Sequence, residues 1–128
     1  MAFTSKARYG GMKRYTDDGE ISTVVESLIR ELETEKFAEP DEEHCQIAIG
    51  YGDWAVTVMV SGLMVLDDMR ERPNERLPSE LFKRAASREE AAQLLTLMAR
   101  GEVEAVRKVG WVPREQMPPW ERDLFRQS

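Results

Sequence analysis

One histidine, His44, stands beside the chain's one cysteine, Cys45. These are the residue types from which a nucleophile and its base are made. Adjacent residues of a strand point to opposite faces, so the two do not pair, and no second histidine is present to serve the thiol. Cys45 reads as a small buried residue and His44 as a strand-edge one. One Cys with one His does not make a structural zinc site. The consecutive carboxylates of "DEEH" (Asp41 to His44) do not all converge on one ion, and "TDDGE" (Thr16 to Glu20) opens like a calcium loop but lacks its later ligands. "GYGD" (Gly50 to Asp53) lacks the glycine spacing of a phosphate loop and reads as a hairpin turn. Neither a metal nor a cofactor is expected. Paired carboxylates remain open as acid–base groups because acids are abundant. Most of them, however, fall on an outer helix face or in loops, where burial would not tune them.

Charge is divided unevenly along the chain. Residues 1–16 carry Lys6, Arg8, Lys13 and Arg14 and no acid, whereas residues 17–43 carry eleven acids against Arg30 and Lys36. The bases, with Tyr9 and Tyr15 among them, are the residue types that touch nucleic acid. So many neighbouring acids make a poor footprint for it and suit a basic protein surface instead. The alternative for the acidic segment is a solvated helix face followed by a loop. "MARGEVEAVRKVG" (Met98 to Gly110) has the look of a turn between two helices. With only Arg107 and Lys108 on the second helix, it reads as an αα-corner packed on a sheet rather than as a DNA reader.

The elements that would position these groups are legible from periodicity. "IAIGYGDWAVTVMVSGLMVL" (Ile47 to Leu66) alternates β-branched residues and is broken twice by glycine-bearing turns. It reads as three antiparallel strands, with Cys45, Ile47 and Ile49 on one face and Trp54, Val56, Val58 and Val60 on one face. Both faces of the strand around Val58 are largely apolar, which implies cover on both sides or association through one. An initial strand is expected around Met12 to Thr16. Ile21, Val24, Val25, Leu28, Ile29 and Leu32 form the stripe of a helix that fades near Phe37, capped by Ser22 or by a Thr23–Glu26 box. After the polar loop "DDMRERPNERLP", "SELFKRAA" suggests a short helix capped by Ser79. Ser87 and Glu90 box a further helix that ends at Gly101. Val103, Val106 and Val109 favour another short helix over a strand. Trp120, Leu124 and Phe125 suffice to dock a last helical turn. No run approaches the ~20 apolar residues of a membrane helix, no apolar leader follows the basic start, and a single cysteine excludes an internal disulfide; a cytoplasmic protein is expected. The class is α+β: one domain over residues 1–128, with a small antiparallel sheet of three to five strands against two or more helices, a basic N-terminal strand region (1–16) and a docked tail (113–128).

That layout resembles the immunity proteins of bacterial polymorphic toxin systems, in particular the large family encoded beside deaminase and nuclease-type toxins. The stretches that carry the resemblance are "EISTVVESLIREL" (Glu20 to Leu32), "HCQIAIGYGDWAVTVMV" (His44 to Val60) and "SREEAAQLLTLMARGEVEAVRKVGW" (Ser87 to Trp111), about two-thirds of the chain. Members commonly have a glycine-rich turn after the central hairpin and a proline shortly before the closing tryptophan. Here "DDMRERPNERLP" follows the sheet and Pro113 follows Trp111. The resemblance implies no enzymatic activity and tight binding to a cognate toxin, often over its active site. An acidic face suits the basic cleft of a toxin that acts on nucleic acid. Asp17, Asp18, Glu20, Glu31, Glu33, Glu35, Asp41, Glu42 and Glu43 are its expected rim, and Tyr51, Trp54 and Trp111 the aromatic anchors if exposed. The competing expectation is a small enzyme or ligand-binding domain that works through a carboxylate, marked by two convergent carboxylates with raised pKa. Either leaves room for homodimerisation through an apolar sheet face.

Overall fold

Two short strands, β1 (Phe3–Lys6) and β2 (Met12–Tyr15), open the chain and pair antiparallel. The computed structural model describes residues 2–8, 11–33, 46–70, 79–118 and 124–125. A 3-10 turn (Asp18–Glu20) then runs directly into α1 (Ile21–Glu33). Its buried residues are the six of the apolar stripe read from the sequence, Ile21 to Leu32. The helix starts earlier than either expected cap allows. Asp17 is the capping residue, extended at φ −107° and ψ 114°, and its side chain accepts from the Gly19 N–H. Ser22 and Thr23 consequently lie inside α1. The preceding 3-10 turn has already taken up the backbone donors that such a cap would satisfy.

The meander follows as expected: β3 (Gln46–Tyr51), β4 (Trp54–Met59) and β5 (Leu63–Asp68). The register sets Ile47 against Val58, Ile49 against Val56, Val56 against Leu66 and Val58 against Met64, all on one face. α1 and α2 (Arg88–Ala99) lie side by side on that face, with α2 over β3 and β4. Ile47, Ile49, Val56, Val58, Met64, Leu95 and Met98 are sealed between the layers. Each such side chain contributes about 1.5–3 kcal/mol by leaving water. On the opposite face Ala48, Ala55, Thr57 and Met59 are only half-buried.

The sheet has six strands in the order β2-β1-β3-β4-β5-β6, all pairs antiparallel, against the three to five expected. Two segments make the difference. "FTSK" carries no alternation, yet it becomes β1 because it is held between β2 and β3. "SELFKRAA" is not a helix: Glu80–Arg84 form β6 on the far side of β5. Phe82 exchanges two backbone hydrogen bonds with Val112, of 2.8 and 2.9 Å, so a later segment closes the outer edge of β6. β5 itself runs on through Asp67 and Asp68, which the sequence placed in a loop.

Ser87 caps α2 by accepting the Glu90 N–H at 3.2 Å, as expected. Its C-terminus is a Schellman turn: Gly101 N–H donates to the Met98 carbonyl and Glu102 N–H to Leu97. α3 (Val103–Arg107) is the short helix favoured above. In the tail, Arg114–Gln116 form a 3-10 turn. Leu124 and Phe125 donate to the carbonyls of Ser61 and Val60, and Phe125 is buried in the core. A Cβ on Gly62, at φ +93°, would stand 2.9 Å from the Leu124 Cβ, so that glycine both makes the turn and admits the tail. Leu124 and Phe125 are bends rather than helix, because their backbone donors serve the turn between β4 and β5.

Candidate functional site

The sheet register draws several expected site residues to one end of the molecule. Tyr15 pairs with Phe3, Tyr51 with Trp54 and Trp54 with Asp68. With Thr4 opposite Gly50, Phe3 falls beside Tyr51, so the five side chains form one row across the sheet. Phe3 and Tyr15 stack with centroids 5.0 Å apart. Two residues beyond Tyr15 comes the turn that holds Asp17, Asp18 and Glu20, all three exposed. The Asp17 carboxylate accepts the Gly19 N–H at 2.8 Å, and Glu20 N–H donates to the Asp17 carbonyl at 3.1 Å. These bonds fix the turn. Among the described residues Asp18 and Glu20 have no cationic partner, and they face solvent at the positive end of α1.

Glu31 and Glu33 are placed quite differently. They lie at the other end of α1, about 20 Å away at 1.5 Å per residue. Glu31 Oε1 accepts the Arg8 N–H at 2.8 Å, and its carbonyl accepts the Arg8 Nη1–H at 3.1 Å. Arg8 itself is buried. Arg88, from the first turn of α2, donates to Glu33 at 2.8 Å and to Glu26 at 2.7 Å, and Arg30 adds a 3.2 Å bond to Glu26. The hydrogen bond from Arg88 holds the Glu26 carboxyl below its ordinary range, and the bonds to Glu33 and Glu26 raise Arg88. These acids clasp α2 and the segment that follows β1 to α1. Glu35, Asp41, Glu42 and Glu43, with His44, Cys45, Tyr9 and Trp120, lie outside the described residues.

The aromatic residues are half-buried and hold the α2–α3 corner to the sheet. A Cβ on Gly101 would sit 2.5 Å from the Tyr51 Cζ, and its φ is +78°. Only glycine satisfies both the turn and the ring. The Trp54 ring has the Arg70 guanidinium 4.9 Å and the Arg107 guanidinium 4.7 Å from its centroid. Asp68, buried, grips Arg70 through both oxygens at 2.9 and 2.7 Å, and Glu104 holds Arg107 at 2.8 Å. Trp111 donates its indole N–H to the Val106 carbonyl at 2.7 Å, which closes the end of α3.

Two further features were not read from the sequence. Asp67 lies directly across from Glu80 on the face away from the helices. Burial, then the charge and hydrogen bond of Glu80, push its carboxyl up to about 6. The signal was hidden because the pair exists only if Glu80 is in a strand. The second is a groove of about 780 Å³ between the β1–β2 hairpin and α1, with Tyr15, Val24 and Leu28 in its walls and Lys13, Glu20 and Glu31 around it. Among the described residues no three His, Cys, Asp or Glu side chains are grouped to hold a metal, and no helix is long and apolar enough to cross a membrane. Compared with family models, curated proteins and solved structures, the chain matches none.

Proposed function

We propose that this chain is a protein-binding inhibitor of the immunity-protein kind, which neutralises a cognate toxin by covering a basic active or substrate-binding surface. The observation that carries the reading is the fixed, exposed acidic turn Asp17–Asp18–Glu20 at the end of the sheet where Tyr51 and Trp54 also lie. Rigid exposed acids steer a basic partner and keep a cleft from its polyanionic substrate. The rim is narrower than the whole acidic segment, since Glu26, Glu31 and Glu33 are engaged within the fold.

The test pairs capture with inhibition. The tagged chain is used to recover a basic partner at low salt, and the partner's catalytic activity is then titrated with purified chain. Inhibition complete at equal stoichiometry, weakened at least tenfold by Asp18→Lys with Glu20→Lys, supports the reading. A captured protein whose activity is untouched by the chain, or inhibition indifferent to those charges, sinks it.

Asp67 and Glu80 favour a second reading, an enzyme or ligand-binding domain that works through a carboxylate. A carboxyl group still protonated near pH 6 is what a general acid requires. The two readings separate at Asp67→Asn, which removes a carboxylate-dependent activity and leaves toxin inhibition intact.

A further inference from the structure

The two edges of the sheet are finished differently. At β6 the chain supplies its own cover, through the reciprocal hydrogen bonds between Phe82 and Val112. At β2 there is none: among the described residues its one neighbour is β1. Met12, Lys13 and Arg14 are exposed, Met12 at 70%, and Tyr15 is half-buried. The pairing with β1 is continuous from Phe3↔Tyr15 to Lys6↔Met12, without a bulge, and the strand has no proline. In an antiparallel pair every second residue of an edge strand turns its N–H and C=O outward, so β2 offers a straight row of donors and acceptors.

The side chains on that row select what can use it. Strand alternation sends Lys13 and Tyr15 toward the groove beside α1, which Met12 also borders, and sends Met12 and Arg14 toward the other face, where Lys6 lies beside Met12. A second copy of the chain paired antiparallel through β2 about its basic residues would set Lys13 opposite Lys13 or Arg14 opposite Arg14, and like charges directly opposite repel. The same two bases attract an acidic strand. From residue 2 to residue 16 the chain has no acid to satisfy them.

We infer that the free edge of β2 is a docking site for an extended acidic segment of a partner protein, which adds to the sheet as a seventh strand. Four positions define the segment. Two adjacent acids meet Lys13 and Arg14, one on each face, and an apolar residue on either side meets Met12 and Tyr15. The pattern apolar–acid–acid–apolar is its own mirror image, so it reads the same in parallel or antiparallel alignment. Main-chain hydrogen bonds supply the attachment and the alternating side chains the choice of partner. The site does not depend on the partner being a toxin, nor on the acids at Asp18 and Glu20.

The probe is an acetylated, amidated peptide with a central Val-Glu-Glu-Val, set against one with Val-Lys-Lys-Val and one N-methylated at its central amides. Each is titrated into the isotopically labelled chain and followed by amide shifts. The acidic peptide is expected to move the amides of Met12 to Tyr15 and to bind at least about tenfold tighter than the lysine peptide. N-methylation should abolish binding. Lys13→Glu with Arg14→Glu, at two exposed positions, should invert the preference toward the lysine peptide with an unchanged melting temperature. The inference is overturned by shifts centred elsewhere, by equal binding or no binding of the two peptides, or by undiminished binding of the methylated one. Self-association of the chain through the β2 amides would also overturn it, by giving the edge to a second copy.

Discussion

At the tail of α1, Glu31 holds Arg8 while Glu26 and Glu33 share the guanidinium of Arg88, whereas at its head Asp18 and Glu20 face water with a turn held in place beneath them. One sequence segment, acidic throughout, thus divides by neighbourhood rather than by composition. Acids that meet a cation delivered by another element become joints of the fold. Acids that meet none are what the molecule can offer to something else. The difference predicts that charge changes at the two ends of one helix have opposite signatures: stability at the tail, association at the head.

The largest effect is expected at Glu31→Lys. The substitution removes the charged acceptor of the backbone N–H of Arg8, a residue only 3% exposed, and puts a cation in its place. Leaving a buried N–H without its charged acceptor costs about 1–3 kcal/mol, to be read as a fall in the denaturant midpoint with an unchanged slope. If the loss is within a few tenths of a kcal/mol, the tail acids are no joint and the comparison collapses.

Arg88→Ala comes next, and pH gives it a signature. Glu26 is held below its ordinary 4.5, first by the hydrogen bond from Arg88. A carboxyl depressed in the folded state stabilises fully above its unfolded value and loses that contribution as pH falls through the folded one. The melting-temperature gap between Arg88→Ala and the native chain should therefore be constant above pH 4.5 and close below it. A gap that persists unchanged at lower pH would mean that Arg88 acts by packing alone.

Asp67 sharpens the contrast from the other side, because its neighbour has the same sign. Its folded pKa, about 6 against an ordinary 3.8, means that the folded state holds a proton which the unfolded chain releases. Stability from this group is complete below 3.8 and is lost as pH rises through 6. Glu80→Gln should raise stability at pH 7 by about 1 kcal/mol or less, since Asp67 is partly in contact with solvent. It should do little at pH 3.5. A variant less stable than the native chain at pH 7 would show that Glu80 contributes more as a partner than it costs as a charge.

Much of this architecture was written locally. The stripe of α1, the Ser87 cap of α2 and the alternation from Ile47 to Leu66 all place their residues as found, because each depends on neighbours within a few positions. What escaped depends on residues far along the chain. β1 is a strand because two others flank it, and Phe82 is buried on the outer face because Val112 pairs with it and Arg114 lies over its ring at 5.6 Å. "LFKR" alone gives no such hint. The same holds for the site. Nothing near Glu31 or Glu33 foretells Arg8, 23 positions earlier, or Arg88, 55 later, and so all the acids looked alike. Trp54 and Trp111 could be named as aromatic but not placed, since their neighbours Arg70, Arg107 and Val106 belong to other elements.

The smallest effect on stability belongs to the head of α1, and it decides the meaning of the comparison. Asp18 and Glu20 stand in the first turn of the helical run, where a negative charge interacts favourably with the positive end of the helix dipole. Neutralising both, as Asp18→Asn with Glu20→Gln, should cost only about 0.5 kcal/mol, and less as salt screens it. Asp17 is left in place, because its carboxylate makes the turn. If these two acids serve association, the same variant should slow capture of a basic partner severalfold at low salt, with most of the effect in the association rate. Stability and binding would then separate at the head as they cannot at the tail, where any change of charge disturbs the contacts with Arg8 and Arg88. A variant that loses far more stability than dipole arithmetic allows, with capture unaffected, would make the head one more joint of the fold and leave the acids of α1 without an outward role.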